Sequence, residues 1–173
     1  MGGIMEAITL LKTQATGLRR DWASIVADLT PEQAHWRPPG VANPIIGVLI
    51  HSVAFVDTTI NKTAQGKPTI WEAGNWAEKI PGLSPGRQDL EKARTAKTDI
   101  AVVKQYVDQV MAEADRYLGT LTSADLDRQV PGFGGNMVPL ANQLSSALVV
   151  HFAEHMGEMS GLKGSAGGKG YAG

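Results

Sequence analysis

Four segments of this 173-residue chain return an apolar residue at every third or fourth position, and that period constrains the fold more than any other feature of the sequence. No stretch alternates apolar and polar residues as a half-buried strand would, and there is no internal repeat. The expectation is an all-α protein. The first helix is read from about Met5 to Leu29, with Ile8, Leu11, Leu18, Trp22, Ile25, Val26 and Leu29 as its stripe. Thr30-Pro31 then reads as the cap and first-turn proline of a short extra turn. Asn43-Pro44 announces the second helix in the same way, and Gly66 and Pro68 stop it after about Gln65. The third runs from near Thr98-Asp99 to about Gly119, and the fourth from around Pro139 to Leu162, with Gly164 as terminator.

Connection lengths suggest how these helices are arranged. Roughly thirty residues rich in Pro, Gly and Trp separate the second helix from the third, far more than antiparallel neighbours need. A connection of that length suits a crossover between parallel helices, so the expected fold is a four-helix bundle in up-down-down-up order, with the second and fourth helices antiparallel. Residues 1–164 are expected to form it, and the glycine-rich end, 165–173, to be a flexible tail without chemistry.

Composition narrows the chemistry. The chain has no cysteine, which leaves imidazole and carboxylate as metal ligands and removes any thiolate nucleophile of its own. Its formal net charge is -1 and its basic residues form no stripe, so nucleic acid is not an expected partner. The start MGGIMEAITLLK lacks the features of a signal peptide, and no apolar run is read as approaching the roughly 20 residues that span a bilayer. No membrane association is expected, and the expected location is the cytoplasm.

Two of the four histidines stand in HFAEHMGE, residues 151–158. Four residues advance about 400° on a helix, so His151 and His155 lie about 40° apart on one face, which Leu144, Ala147, Leu148, Glu158 and Leu162 share. His51 lies on the second helix, its own face carrying Gly47, Val48, Ala54, Phe55 and Thr58. His51 stands about seven residues after the start of the second helix and His155 about seven before the end of the fourth, so antiparallel packing brings them level. Three converging imidazoles make a site for Zn²⁺, Ni²⁺ or Fe²⁺ with one position open to water or substrate, and Gly47 is read as leaving room for the ion. The competing reading is three core histidines, each satisfied by its own hydrogen bond. HFAEH also matches the inverted zinc-protease motif, but only eighteen residues follow His155. The connection carrying His35 is expected at the metal end of the bundle, where Trp36 and Arg37 would line the entrance to a substrate site, and Trp71 and Trp76 are candidates for a lid.

The segments AHWRPPGVANPIIGVLIHSVAFV and HFAEHMGEM resemble the DinB-like family, also called DinB/YfiT-like metalloenzymes, and the resemblance extends over nearly the whole chain. It implies a four-helix bundle with a divalent metal on His51, His151 and His155, often as a homodimer. It also implies enzymes that use a low-molecular-weight thiol such as bacillithiol or mycothiol. The chain reads HMGE where the family usually has HRGQ, with Met156 for the Arg and Glu158 for the Gln.

The leading expectation is a metal-dependent thiol S-transferase in which the ion ionises a small thiol that then attacks an electrophile. Glu158 would be a fourth ligand, a carboxylate orienting an imidazole, or a general base, the orienting role being slightly favoured. The alternatives are a metal-dependent hydrolase, with Glu154 or Glu158 shuttling the proton, and a metal-binding or dimeric interaction module without turnover.

Overall fold

In the computed structural model, which describes residues 5–86 and 90–170, the long helical segments gather around the most apolar of them. Helix α1 (Ala7–Ala27), slightly shorter than read, buries Ile8, Leu11, Ala15, Trp22, Ile25 and Val26, the expected stripe with Ala15 added and Leu18 only partly buried. Helix α2 (Pro31–His35) is the extra turn after Thr30. The Thr30 hydroxyl accepts the Gln33 N–H at 3.2 Å, and the Gln33 side chain accepts the Thr30 N–H at 3.3 Å.

Helix α3 (Ile45–Asp57) is buried at every residue except His51 and Phe55. A helix that is apolar all round needs such surroundings, and its two exceptions mark the only side on which it meets space. Pro44 itself occupies the cap position, so Asn43 does not cap this helix as expected. The helix continues as a π turn, Thr58–Thr63. Together Ile45–Thr63 is apolar and long enough to cross a membrane, which corrects the expectation that no run approaches that length, and 78% of the window is buried within the protein.

Short helices fill the long crossover: α4 (Ile70–Ala73), α5 (Trp76–Lys79) and α6 (Leu90–Thr95), leading to α7 (Ile100–Thr120). Trp71 and Trp76 form no lid. Both are buried, with ring centroids 5.2 and 5.4 Å from that of Tyr106 on α7, because a crossover lying against two helices has to cover their apolar faces. Asp57, itself buried, ties the crossover down. Its carboxylate accepts the N–H groups of Ile70 and Trp71 at 2.9 and 3.0 Å, the Asn61 amide at 2.8 Å and the Tyr106 hydroxyl at 2.9 Å.

Side-chain contacts give the helix directions. Asp57 meets Tyr106, and eight residues on Gln65 meets Glu113 at 3.1 Å, so α3 and α7 run the same way. Arg19 pairs with Asp115 at 2.6 Å while Lys104 reaches the Ala27 carbonyl at 3.4 Å, so α1 opposes α7.

After α7 come two strands absent from the sequence reading, β1 (Gln129–Pro131) and β2 (Met137–Pro139), paired antiparallel with Val130 opposite Val138. Three residues are too few to display a period of two, and the turn between them depends on Gly134 and Gly135 at positive φ. Helix α8 (Leu140–Ser145), a π turn (Ser146–Val150) and α9 (His151–Ser165) complete the chain's last long segment. The buried residues of α9 are Phe152, Met156, Met159, Ser160 and Lys163, one position on from the expected stripe through His151, His155 and Leu162. The π turn explains the difference: one extra residue in a turn rotates everything after it by about 100°. Buried Lys163 reaches the Ile25 carbonyl at 2.7 Å and the Asp28 carboxylate, fastening α9 to the end of α1.

Candidate metal centre

The rotation imposed by the π turn puts His151 and His155 at the edge of the core, facing the one uncovered side of α3. His51, His151 and His155 are each half-buried, and one ring nitrogen from each lies within 4.8 Å of the others. The Nε2 atom of His151 is 3.3 Å from Nε2 of His51 and 3.2 Å from Nε2 of His155. Three nitrogens at about 2.0–2.1 Å from a tetrahedral ion would stand about 3.3 Å apart, so two edges of this triangle already have the length that coordination requires.

Partners on the far sides of the rings fix which nitrogens face inward. His51 Nδ1 lies 3.2 Å from the Gly86 carbonyl and His155 Nδ1 lies 2.8 Å from Glu158 Oε2. Both oxygens can only accept, so each Nδ1 carries the hydrogen and each Nε2 presents a lone pair. Those two lone pairs point at His151, whose single N–H can satisfy only one of them fully. Its Nδ1 is buried without a partner among the described residues. Burial, reinforced by the neighbouring imidazoles, lowers the His151 pKa from 6.5 to about 4. The group therefore offers a cation a neutral ring between two outward-braced ones, and a cation would relieve the crowded lone pairs. The residues fit a divalent metal.

Phe55, the other exception on α3, packs its ring 4.5 Å from that of His151 and walls one side of the cluster. A cavity of about 330 Å³ opens beside His51, lined by Ala54, Phe55, Thr58, Thr59, Thr63 and Gln143 together with Pro85, Gly86, Pro131 and Gly132. The hairpin and the crossover thus supply walls that sequence patterns did not reveal. Phe55 was visible on the His51 face by its spacing of four, whereas nothing in the sequence marks the Gly86 carbonyl as a ring partner.

Several expected placements change. Gly47 does not make room for an ion: a Cβ there would stand 3.4 Å from the Cβ of Ala93, so the glycine admits α6. Arg37 lines a different cavity, with His35 and Lys97, and Trp36 stands at the end of α2, its N–H on the Gln33 carbonyl. Neither is among the residues lining the cavity at His51, because the connection folds over the start of α7, where His35 Nε2 donates to the Thr98 carbonyl at 2.8 Å. Glu158 Oε2 lies 2.8 Å from His155 Nδ1, and Glu154 is exposed.

Comparison with known proteins gives the fold and the family. The solved structure of a conserved protein of locus from Enterococcus faecalis is similar, with a TM-score of 0.74 over 92% of this chain and 96% of that one, at 17% identity, a likeness of fold. No curated protein matches the chain. The family model of the DinB superfamily matches residues 14–159, a span that includes all three clustered histidines. The chain belongs to the DinB superfamily.

Proposed function

We propose that the chain is a metal-dependent enzyme of the thiol S-transferase type, built on a four-helix bundle in up-down-down-up order. Zn²⁺ or Ni²⁺, with Fe²⁺ as a further candidate, would be held by His51, His151 and His155, since an all-imidazole set suits those ions. The carrying observation is the triangle of Nε2 atoms 3.2 and 3.3 Å from one another, two of them oriented by Gly86 and Glu158. When bound, such an ion would lower the pKa of a thiol brought to it.

The chain's own residues supply the rest. At about 330 Å³ the cavity at His51 suits a small molecule. Thr58, Thr59, Thr63 and Gln143 offer hydrogen bonds to it, while Ala54, Phe55 and the two prolines exclude water. No carboxylate is among the described residues lining the cavity, and Glu158 is engaged with His155. Neither Glu154 nor Glu158, to which the hydrolase reading gives the proton shuttle, is among the described residues at this wall, so the lining lends that reading no support.

The test uses untagged, metal-loaded protein, a panel of low-molecular-weight thiols and a chromogenic electrophile, with ester and amide substrates in parallel. Adduct formation by the parent, and only the uncatalysed rate with His51→Ala, is the expected result. Metal binding without turnover of any substrate would leave a non-catalytic metal-binding module, and turnover of the esters or amides alone would make it a hydrolase.

Glu158 gives a separate readout. Losing the partner of a metal-bound imidazole typically weakens metal binding about 10–100-fold, and Glu158→Ala is expected in that range by competition with a chromogenic chelator. Glu158→Gln keeps an oxygen that accepts from Nδ1 and should lose much less. Equal affinity for Glu158→Ala and the parent would show that the carboxylate does not support the ring.

A further inference from the structure

A second hollow, away from His51, His151 and His155, lies where α2, α6 and the start of α7 meet. It has a volume of about 650 Å³, and the side chains at its wall include His35, Arg37, Arg94, Lys97 and Asp99. Among the described residues of this wall, three cationic side chains stand against one acidic one, an unusual local balance in a chain whose net charge is -1.

These charges are mostly unspent. Arg37 and Lys97 make no hydrogen bond or ion pair among the described residues. Among the described residues the Arg94 guanidinium meets backbone oxygens only, the carbonyls of Gly40 and Ala42, and its Nε is buried without a partner. Asp99 is occupied at the start of α7, where its carboxylate accepts the Ala101 N–H at 2.8 Å. Like charges gathered around one hollow repel one another, and an anion placed among them removes that repulsion while giving the free N–H groups an acceptor.

The hollow is also held in shape. The Thr30–Gln33 capping box fixes α2, and His35 Nε2 donates to the Thr98 carbonyl at 2.8 Å. The buried Thr98 donates its hydroxyl to the Pro81 carbonyl at 2.9 Å, joining that corner to the crossover. A binding site assembled on such ties needs little ordering when a ligand arrives.

We propose that this hollow binds a small organic anion, through a phosphate or carboxylate group held by Arg37, Lys97 and Arg94. Its volume takes a molecule of several heavy atoms beyond the anionic group. The site is separate from the histidine cluster, and its occupancy does not depend on a metal.

Titration calorimetry tests this with two probes, inorganic phosphate and succinate, each at constant ionic strength, on the parent and on the double variant Arg37→Ala, Lys97→Ala. Both side chains are exposed and bond nothing among the described residues, so the variant should keep its circular dichroism spectrum and its metal content. Expected is saturable one-to-one binding by the parent, weakened at least about tenfold in the double variant, as loss of charge-assisted bonds implies. The tighter probe identifies phosphate or carboxylate as the preferred group. No saturable binding of either probe by the parent, or equal affinity in parent and variant, overturns the proposal.

Discussion

His151→Ala is expected to take the metal content of untagged protein from about one ion per chain to essentially none, a loss of affinity above the roughly 10–100-fold typical of outer-partner mutations. The ring is the shared corner of the triangle: its Nε2 is the atom found 3.3 Å from His51 and 3.2 Å from His155. Burial and the neighbouring imidazoles lower its pKa to about 4, so at physiological pH the ring meets the ion as a neutral imidazole rather than an imidazolium. Elemental analysis after incubation with Zn²⁺ or Ni²⁺, followed by gel filtration, reads the outcome. Stoichiometric metal in the variant would mean that the ion sits elsewhere, and its absence from the parent would remove the metal reading altogether.

The second large effect concerns stability. Asp57→Ala should destabilise the protein by about 4 kcal/mol or more, because the methyl group leaves four donors, on Ile70, Trp71, Asn61 and Tyr106, without their acceptor. Each buried unsatisfied group costs about 1–3 kcal/mol, and water entering the gap offsets part of the sum. Against a typical total of about 5–15 kcal/mol, that loss threatens the fold itself. Urea unfolding followed by circular dichroism measures it. Asp57→Asn retains one accepting oxygen and should fall between parent and alanine variant, which keeps the comparison readable if Asp57→Ala does not fold. A loss below about 1 kcal/mol for the alanine variant would show that the crossover is not anchored through this carboxylate.

Asp57 also shows the limit of sequence reading. A lone aspartate in an apolar helix is conspicuous, yet its four partners are scattered over nearly fifty positions and share no spacing. The three histidines were more legible. His151 and His155 are linked by a helical turn, and the long crossover made an antiparallel partner for them plausible, so His51 could be assigned from connection length alone.

Sequence by itself determined the four long helical segments and the grouping of three imidazoles, because those follow from local period, from capping residues and from the length of chain between helices. Tertiary structure alone decided which face of α9 those rings occupy, since a π turn resets the phase and period does not report it. It also decided what surrounds them. The Gly86 carbonyl, the hairpin wall and the diversion of Arg37 to another hollow depend on contacts between distant segments, and such contacts are selected by packing and hydrogen-bond satisfaction over the whole fold rather than by any residue's neighbours in the chain.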